Sequence, residues 1–113
     1  MNIENTKAQM RKGVLEFCIL SILSDGEHYP TEIIEKMKRA KLLIVEGTLY
    51  PLLSRLKNDG LLSYRWEESI SGPPRKYFTL TKEGRKNLVS LIENWTELTD
   101  SVNKIIKETS KTK

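Results

Sequence analysis

The chain has 113 residues, of which 38% are hydrophobic and 30% charged, a balance typical of one folded domain and not of a disordered chain. Its formal charge is +4, but the excess is spread as +1 over residues 1–45 (7 Lys/Arg against 6 acids), +1 over 46–81 (5 against 4) and +2 over 82–113 (7 against 5). Charge alone is therefore weak evidence for a nucleic-acid partner.

The residues that usually build catalytic and metal sites are scarce. Cys18 is the only cysteine and His28 the only histidine, so neither an intrachain disulfide nor a cysteine metal cage can form. No phosphate-binding glycine loop and no pair of nucleophile and base stand out. We expect no catalytic residue, no metal and no cofactor; Cys18 is predicted to be a small buried hydrophobe, and His28 to cap a turn or face solvent.

The first helix is predicted from Thr6 to Ser24, after a polar segment (residues 1–7) that we expect to be disordered. Its second half is apolar on nearly all sides, and one small domain covers such a helix only in part, which is a first indication of a dimer. Glu16 interrupts the apolar run of residues 14–23, which is too short to span a bilayer and lacks a signal-peptide cleavage pattern. These features favour a cytoplasmic protein.

Two short helices follow, joined by a brief connection. Pro30 is a preferred first helical residue and begins the earlier helix. In the later one, leucines recur at positions 49, 52, 53 and 56, which places them on one face. Thr48 is predicted to cap this helix, Pro51 to lie in its first turn and Gly60 to follow its end. Two helices in this arrangement match the helix-turn-helix plan.

The face of the later helix opposite the leucines carries a ring, a hydroxyl, a guanidinium and an amide, which suits DNA: Tyr50, Pro51, Ser54, Arg55 and Asn58. Each residue also has a plainer interpretation. Tyr50 could pack on a neighbouring helix, Arg55 could pair with Asp59 at i+4, and Ser54 and Asn58 could simply face solvent.

The hydrophobic period then changes from 3.6 to 2, which predicts a hairpin directly after the recognition-type helix. Residues 62–67 form its first strand, residues 69–74 a loop of turn formers, and residues 75–80 the returning strand. Such a hairpin is the wing of a winged helix. Arg75 and Lys76, just behind its tip, could neutralise phosphates or could serve only solubility and edge protection. Trp66 is predicted to pack against the body of the domain.

The last helix is predicted over residues 82–107, with a polar tail at 108–113 that we expect to be disordered. Its apolar residues are spaced 3, 4, 3, 4 and 3 apart, as in a coiled-coil seam. Because so long a helix extends beyond a small domain, we expect a second copy of the chain to cover it. The predicted dimer interface consists of Leu88, Leu91, Trp95, Leu98, Val102 and Ile105.

Three motifs resemble those of the PadR-like transcriptional regulators of the short type, which lack a large C-terminal domain. They are Thr48-Leu-Tyr-Pro-Leu-Leu-x-Arg-Leu, Asp59-Gly-Leu-Leu and Gly72-Pro-Pro-Arg-Lys-Tyr-Phe-x-Leu-Thr-x-x-Gly84. The resemblance covers roughly residues 8–106. It departs from the family at Tyr77-Phe78, where two adjacent tyrosines are frequent, so one hydroxyl is missing.

The resemblance implies a winged helix with a dimerising C-terminal helix, in a family whose members are mostly repressors, some of them relieved by small aromatic or drug-like effectors. It assigns Tyr29, Thr48 and Tyr50 to DNA contact, and Arg75 and Lys76 to the basic pair of the wing. It also favours an aromatic-walled effector site around Trp95 at the dimer centre, with Phe17, Glu16 and Ile92 as further lining residues; otherwise Trp95 only fills the core.

The sequence thus predicts an α+β, mainly α, fold: a winged helix-turn-helix of three helices and a two-stranded wing over residues 8–81, followed by the dimerisation helix. The predicted function is a dimeric, sequence-specific transcriptional regulator that binds double-stranded DNA. By the resemblance it is a repressor relieved by a small aromatic or hydrophobic effector at the dimer interface. The alternative is a winged-helix protein-interaction module without DNA binding, which the even charge distribution supports.

Overall fold

The computed structural model describes residues 2–111, and side chains within residues 2–109. Five helices and one antiparallel hairpin make up the described residues, which confirms the mainly α winged-helix fold with a long C-terminal helix. In chain order the elements are α1 (Ile3–Lys12), α2 (Leu15–Leu23), α3 (Pro30–Arg39), α4 (Glu46–Asn58), β1 (Leu62–Ser69), β2 (Gly72–Leu80) and α5 (Lys82–Lys111).

One hydrophobic core lies between α2, α3 and α4 and is closed by the base of the hairpin and the start of α5. Leucine, isoleucine and methionine side chains fill it, and their loss from water is the main stabilising contribution to a domain of this size. The side chains that are buried almost completely are Ile19, Leu20, Leu23, Ile33, Met37, Leu49, Leu53 and Leu56.

The N-terminal segment differs from the prediction, which had one helix and a disordered start. Asn2 caps α1, since its side-chain oxygen accepts the backbone N–H groups of Glu4 and Asn5 at 3.0 and 3.3 Å. Helix α1 ends at Lys12, before Gly13 and Val14, and has no buried residue, whereas α2 carries core residues. Core packing therefore holds α2, whereas α1 is a separate helix outside the core. Residue 1 lies outside the described part.

Helix α4 begins earlier than predicted, at Glu46 with Val45 as N-cap, so Thr48 lies inside the first turn and is not the cap. Pro51 is accordingly in the second turn, where its missing N–H leaves the Gly47 carbonyl without its usual helical donor. The end was predicted correctly: Gly60 has φ +81°, and the next N–H, of Leu61, donates to the Leu56 carbonyl at 2.9 Å.

The wing is longer than predicted. Strand β1 pairs with β2 from Leu62 opposite Leu80 to Ser69 opposite Gly72, with an irregularity between Glu67 and Ser69. The predicted six-residue loop was wrong, because only Ile70 and Ser71 separate the strands, and both prolines of the loop belong to β2. The prediction for Trp66 was also wrong: its side chain is 60% exposed, because the wing extends beyond the domain body.

Helix α5 is fixed at its start by Thr81, whose hydroxyl accepts the Gly84 N–H at 3.0 Å and donates to the Gly60 carbonyl at 2.7 Å. The helix continues to Lys111, so the expected disorder from residue 108 was wrong as far as Lys111; residues 112–113 lie outside the described part. Thirty residues span about 45 Å. No helix within residues 2–111 has the length and apolar character needed to cross a membrane.

Candidate nucleic-acid interface

Helix α4 presents its polar face to solvent, as its sequence period predicted. Leu49, Leu53 and Leu56 are buried against α3 and the wing base, which fixes the rotation of the helix. The opposite face is therefore exposed, and Tyr50 keeps 47% of its surface open to solvent. The remaining predicted contact residues on this helix are exposed as well: Thr48, Ser54, Arg55 and Asn58.

A groove of about 420 Å³ lies between the start of α3, the exposed face of α4 and the wing. It brings together four predicted contact residues from three separate parts of the sequence. It also includes Trp66 and Thr31, which the sequence analysis did not select. The lining side chains are Tyr29, Pro30, Thr31, Tyr50, Trp66, Pro74, Arg75 and Lys76.

Aromatic rings hold both cations of this groove. The Arg75 guanidinium lies 4.5 Å from the centre of the Tyr29 ring. The Lys76 ammonium lies 4.3 Å from the centre of the Tyr64 ring and 5.1 Å from that of Trp66. Such contacts orient a cation without neutralising it, so the positive charge stays available to an anion.

Thr48 and Arg55 lie apart from this groove. Thr48 lines a different depression of about 350 Å³ beside α1, together with Arg11, Lys12, Leu43 and Val45 among others. The ion-pair partner of Arg55 is Glu16 on α2, in place of the Asp59 pairing that the spacing allowed.

Arg65 and Glu27 form an ion pair that sequence reasoning missed. The Arg65 guanidinium donates to both Glu27 carboxylate oxygens, from Nε at 2.9 Å and from a terminal nitrogen at 2.5 Å. These hydrogen bonds lower the pKa of the Glu27 carboxyl and raise the pKa of Arg65, because they favour both charged forms. The two residues are 38 positions apart, so no local pattern indicates the pair.

The predicted effector residues do not all meet. Phe17 and Trp95 pack together with ring centres 6.1 Å apart, in a groove of about 230 Å³ between α2 and α5 that also includes Leu91 and Leu98. In a single chain Glu16 and Ile92 are not among its lining residues, and Glu16 pairs with Arg55 instead.

The predicted interface residues on α5 divide into two groups. Leu88 is only 7% exposed and belongs to the core of its own chain, so it is not free to meet a partner, contrary to the expectation. Leu91 is partly covered by the same core. Farther along the helix the stripe is open to solvent at Trp95, Leu98, Val102 and Ile105.

The titratable residues of the core serve structure. His28 is buried, not solvent-facing, and its Nδ1 lies 3.0 Å from the Gly26 carbonyl oxygen. Burial raises the pKa of the Cys18 thiol, which makes a reactive thiolate less favourable. Within residues 2–111, no group of histidine, cysteine and carboxylate side chains is placed to hold a metal ion.

Known proteins place this arrangement in one family. Residues 19–90 match the model of the transcriptional regulator PadR-like family. A PadR-like transcription factor from Bacteroides fragilis is 56% identical, with 89% of this chain and 98% of that chain covered and a TM-score of 0.77. A PadR family regulator from Eggerthella lenta is 32% identical over 92% of this chain and 91% of the other, with a TM-score of 0.84.

A third solved structure is that of Bacillus subtilis PadR in complex with operator DNA. It is 26% identical, with 70% of this chain and 46% of that chain covered and a TM-score of 0.66. Members of the matched family are transcriptional regulators and not enzymes. The sequence motifs, the winged-helix fold and these similarities agree: the chain belongs to the PadR-like family of transcriptional regulators.

Proposed function

We propose that this protein is a homodimeric, sequence-specific DNA-binding regulator that represses transcription until a small aromatic effector binds. The observation that carries the proposal is the groove at which α4 and the wing meet. Tyr50 of the recognition helix and Arg75 and Lys76 of the wing line the same surface, next to Tyr29. Rings, hydroxyls and unneutralised cations on one face suit a duplex backbone.

In this proposal α4 enters the major groove, as the second helix of a helix-turn-helix does. Tyr50, Ser54 and Asn58 then face base edges or phosphates. Arg75 and Lys76 contact DNA phosphates on either side of the major groove. The homologue from Bacillus subtilis was solved with operator DNA, which supports a DNA partner for this chain as well.

The dimer is proposed from the open stripe on α5. Trp95, Leu98, Val102, Ile105 and Ile106 are exposed on a helix that extends well past the core. The chain measures 62 Å along its longest axis and has a radius of gyration of 16.9 Å, against about 13 Å for a compact domain of this length. A second copy packed along this stripe would remove those apolar side chains from water.

The effector is assigned to the groove at Phe17 and Trp95, which is open on one side in a single chain. Two copies facing each other would turn it into an aromatic-walled site for a planar hydrophobic molecule. Because two half-sites on DNA must be met about 34 Å apart, a ligand that changes the separation of the two α4 helices would lower affinity at both.

The second candidate is a protein-interaction module without DNA binding. The even distribution of charge along the chain favours it, since no segment is strongly basic. In the first candidate function Arg75 and Lys76 of the wing contact DNA phosphates, and in the second they do not.

We expect Arg75→Glu combined with Lys76→Glu to abolish binding to DNA from upstream of the protein's own gene, because repulsion replaces two phosphate contacts. The measurement is a gel shift over a range of salt concentrations, with the oligomeric state checked in parallel. The matched control is Lys38→Glu with Arg39→Glu, an equal charge change at the far end of α3, which should retain binding. Unchanged affinity and salt dependence in the wing variant would favour the interaction module.

A further inference from the structure

Three consecutive residues before α3 attach the wing to the domain. His28 is the middle one, and its backbone pairs with Phe78 of β2: each N–H donates to the other's carbonyl, at 3.1 and 2.8 Å. Its two neighbours, Glu27 and Tyr29, contact the wing through their side chains. The attachment therefore runs alongside β2, on the edge away from β1.

Glu27 holds Arg65 in a defined orientation. The carboxylate accepts two hydrogen bonds from the guanidinium, a geometry that only arginine offers. A further nitrogen of Arg65 donates to Glu67 at 3.2 Å. The guanidinium carbon lies 4.8 Å from the centre of the Tyr77 ring, directly across the hairpin.

The contacts continue from Tyr77 to the candidate DNA groove. Tyr77 meets Tyr29 edge to face, with ring centres 5.4 Å apart and planes inclined at 68°. Tyr29 in turn contacts Arg75, whose guanidinium lies 4.5 Å from the centre of the Tyr29 ring. A continuous series of contacts thus links Glu27 to Arg75, and we call Glu27, Arg65, Tyr77 and Tyr29 the wing clamp.

The two arginines of the wing differ in their partners. Two carboxylates neutralise Arg65, whereas the described residues give Arg75 only a ring. A neutralised guanidinium contributes little to phosphate binding, while one that merely lies on a ring retains its charge. Arg65 is therefore suited to orient the wing, and Arg75 to contact DNA.

We propose that Glu27 and Arg65 are positioning residues for DNA recognition, which fix the wing at the angle at which Arg75 reaches a phosphate. This inference rests on the proposed function. It assigns a role in affinity to a residue, Glu27, whose negative charge on its own opposes DNA binding.

Glu27→Gln gives the sharpest test because it makes the protein more positive by one charge. Electrostatics alone predicts tighter DNA binding for this variant, whereas loss of the clamp predicts a Kd about tenfold higher. The slope of log K against log salt concentration is negative, and its magnitude should also decrease by about one, since one phosphate contact is lost. Glu68→Gln, the same change at an exposed wing residue outside the clamp, should bind as tightly as wild type or more tightly.

Arg65→Lys separates positioning from direct phosphate contact. Lysine keeps the charge but loses the two-pronged hydrogen bonding and the planar stacking on Tyr77, so it should weaken binding as much as Arg65→Gln. The double variant Glu27→Gln with Arg65→Gln should be no weaker than either single variant, because both act through one pair. Thermal unfolding of each variant shows that the domain itself is intact.

The outcomes distinguish this inference from the proposed function. If wild type binds DNA and the Arg75 and Lys76 variant does not, but Glu27→Gln binds as tightly as Glu68→Gln, the wing clamp is wrong and the DNA-binding function stands. If Arg65→Lys binds like wild type, Arg65 contacts DNA or has no role. If wild type binds no DNA, the proposed function fails and the inference with it.

Discussion

At the scale of single residues, the junction between α4, the wing and α5 depends on two small residues, Thr81 and Gly84. Thr81 joins the Gly60 carbonyl to the first turn of α5, and its own N–H donates to the Leu61 carbonyl at 3.1 Å. Gly84 packs directly against that same peptide unit. A β-carbon there would collide with the Leu61 carbonyl oxygen and lie 3.1 Å from its carbon. The backbone of α5 therefore touches the connection between α4 and β1 at a position where only glycine fits.

We expect Gly84→Ala to destabilise the protein by about 2 kcal/mol, because the inserted methyl group forces α5 away from Leu61. Urea unfolding followed by circular dichroism measures this. Gly47→Ala is the matched control, since a β-carbon at Gly47 in α4 meets no heavy atom within 4 Å. That variant should gain up to about 1 kcal/mol from lower chain entropy in the unfolded state. Equal stability of the two variants would contradict the close approach.

At the scale of elements, α2 contacts both the exposed face of α4 and the groove beside α5, two sites that are far apart in the sequence. Its Glu16 pairs with Arg55 of α4, and its Phe17 packs on Trp95 of α5. We propose that a change in the angle between α2 and α5 is passed to α4 through the pair of Glu16 and Arg55. This arrangement suits a protein in which a ligand between α2 and α5 alters DNA affinity, as we propose.

Planar aromatic compounds are expected to quench Trp95 fluorescence saturably, because this residue is 42% exposed and lines the groove beside Phe17. The chain has two tryptophans, so the titration uses a Trp66→Phe background, in which Trp95 is the only tryptophan, with excitation that excludes tyrosine. Phe17→Ala in that background should weaken binding by removing one aromatic wall. Absence of quenching across a diverse panel would leave Trp95 with a packing role only.

At the scale of the whole molecule, α5 is the feature that a single chain does not explain. Its first turns contribute Leu88 to the core. The rest of the helix extends beyond the core and carries a stripe of exposed apolar side chains. Exposed apolar surface of this extent on a regular seam is typical of an interface.

Val102→Glu is expected to convert the proposed dimer to a monomer, because it buries a carboxylate in the apolar seam. Asn103→Glu, one position along and outside the seam, should remain dimeric. Analytical ultracentrifugation at micromolar concentration gives the mass, and circular dichroism shows whether the fold is kept. DNA affinity should fall steeply in Val102→Glu, since a monomer meets one half-site only. A monomeric wild-type protein would refute the proposed assembly.

The sequence by itself determined the features that depend on neighbouring residues. The leucine spacing placed Leu49, Leu53 and Leu56 in the core and so exposed Tyr50, because a helical period leaves one choice of buried face. Gly60 marked the end of α4 because its left-handed φ is difficult for other residues. The motifs around Thr48 and Gly72 were enough to indicate the family.

Only the tertiary structure decided which distant residues meet. The break at Gly13 accompanies the division between α2, which belongs to the core, and α1, which does not; a single glycine disfavours a helix but does not by itself end one. Trp66 stands at an apolar position of the alternating strand pattern, which predicts burial, but it lies beyond the domain body and is exposed. Glu27 and Arg65 meet because the segment before α3 pairs with β2 through His28 and Phe78. Periodicity records which face of an element is apolar, but what covers that face depends on how the elements pack.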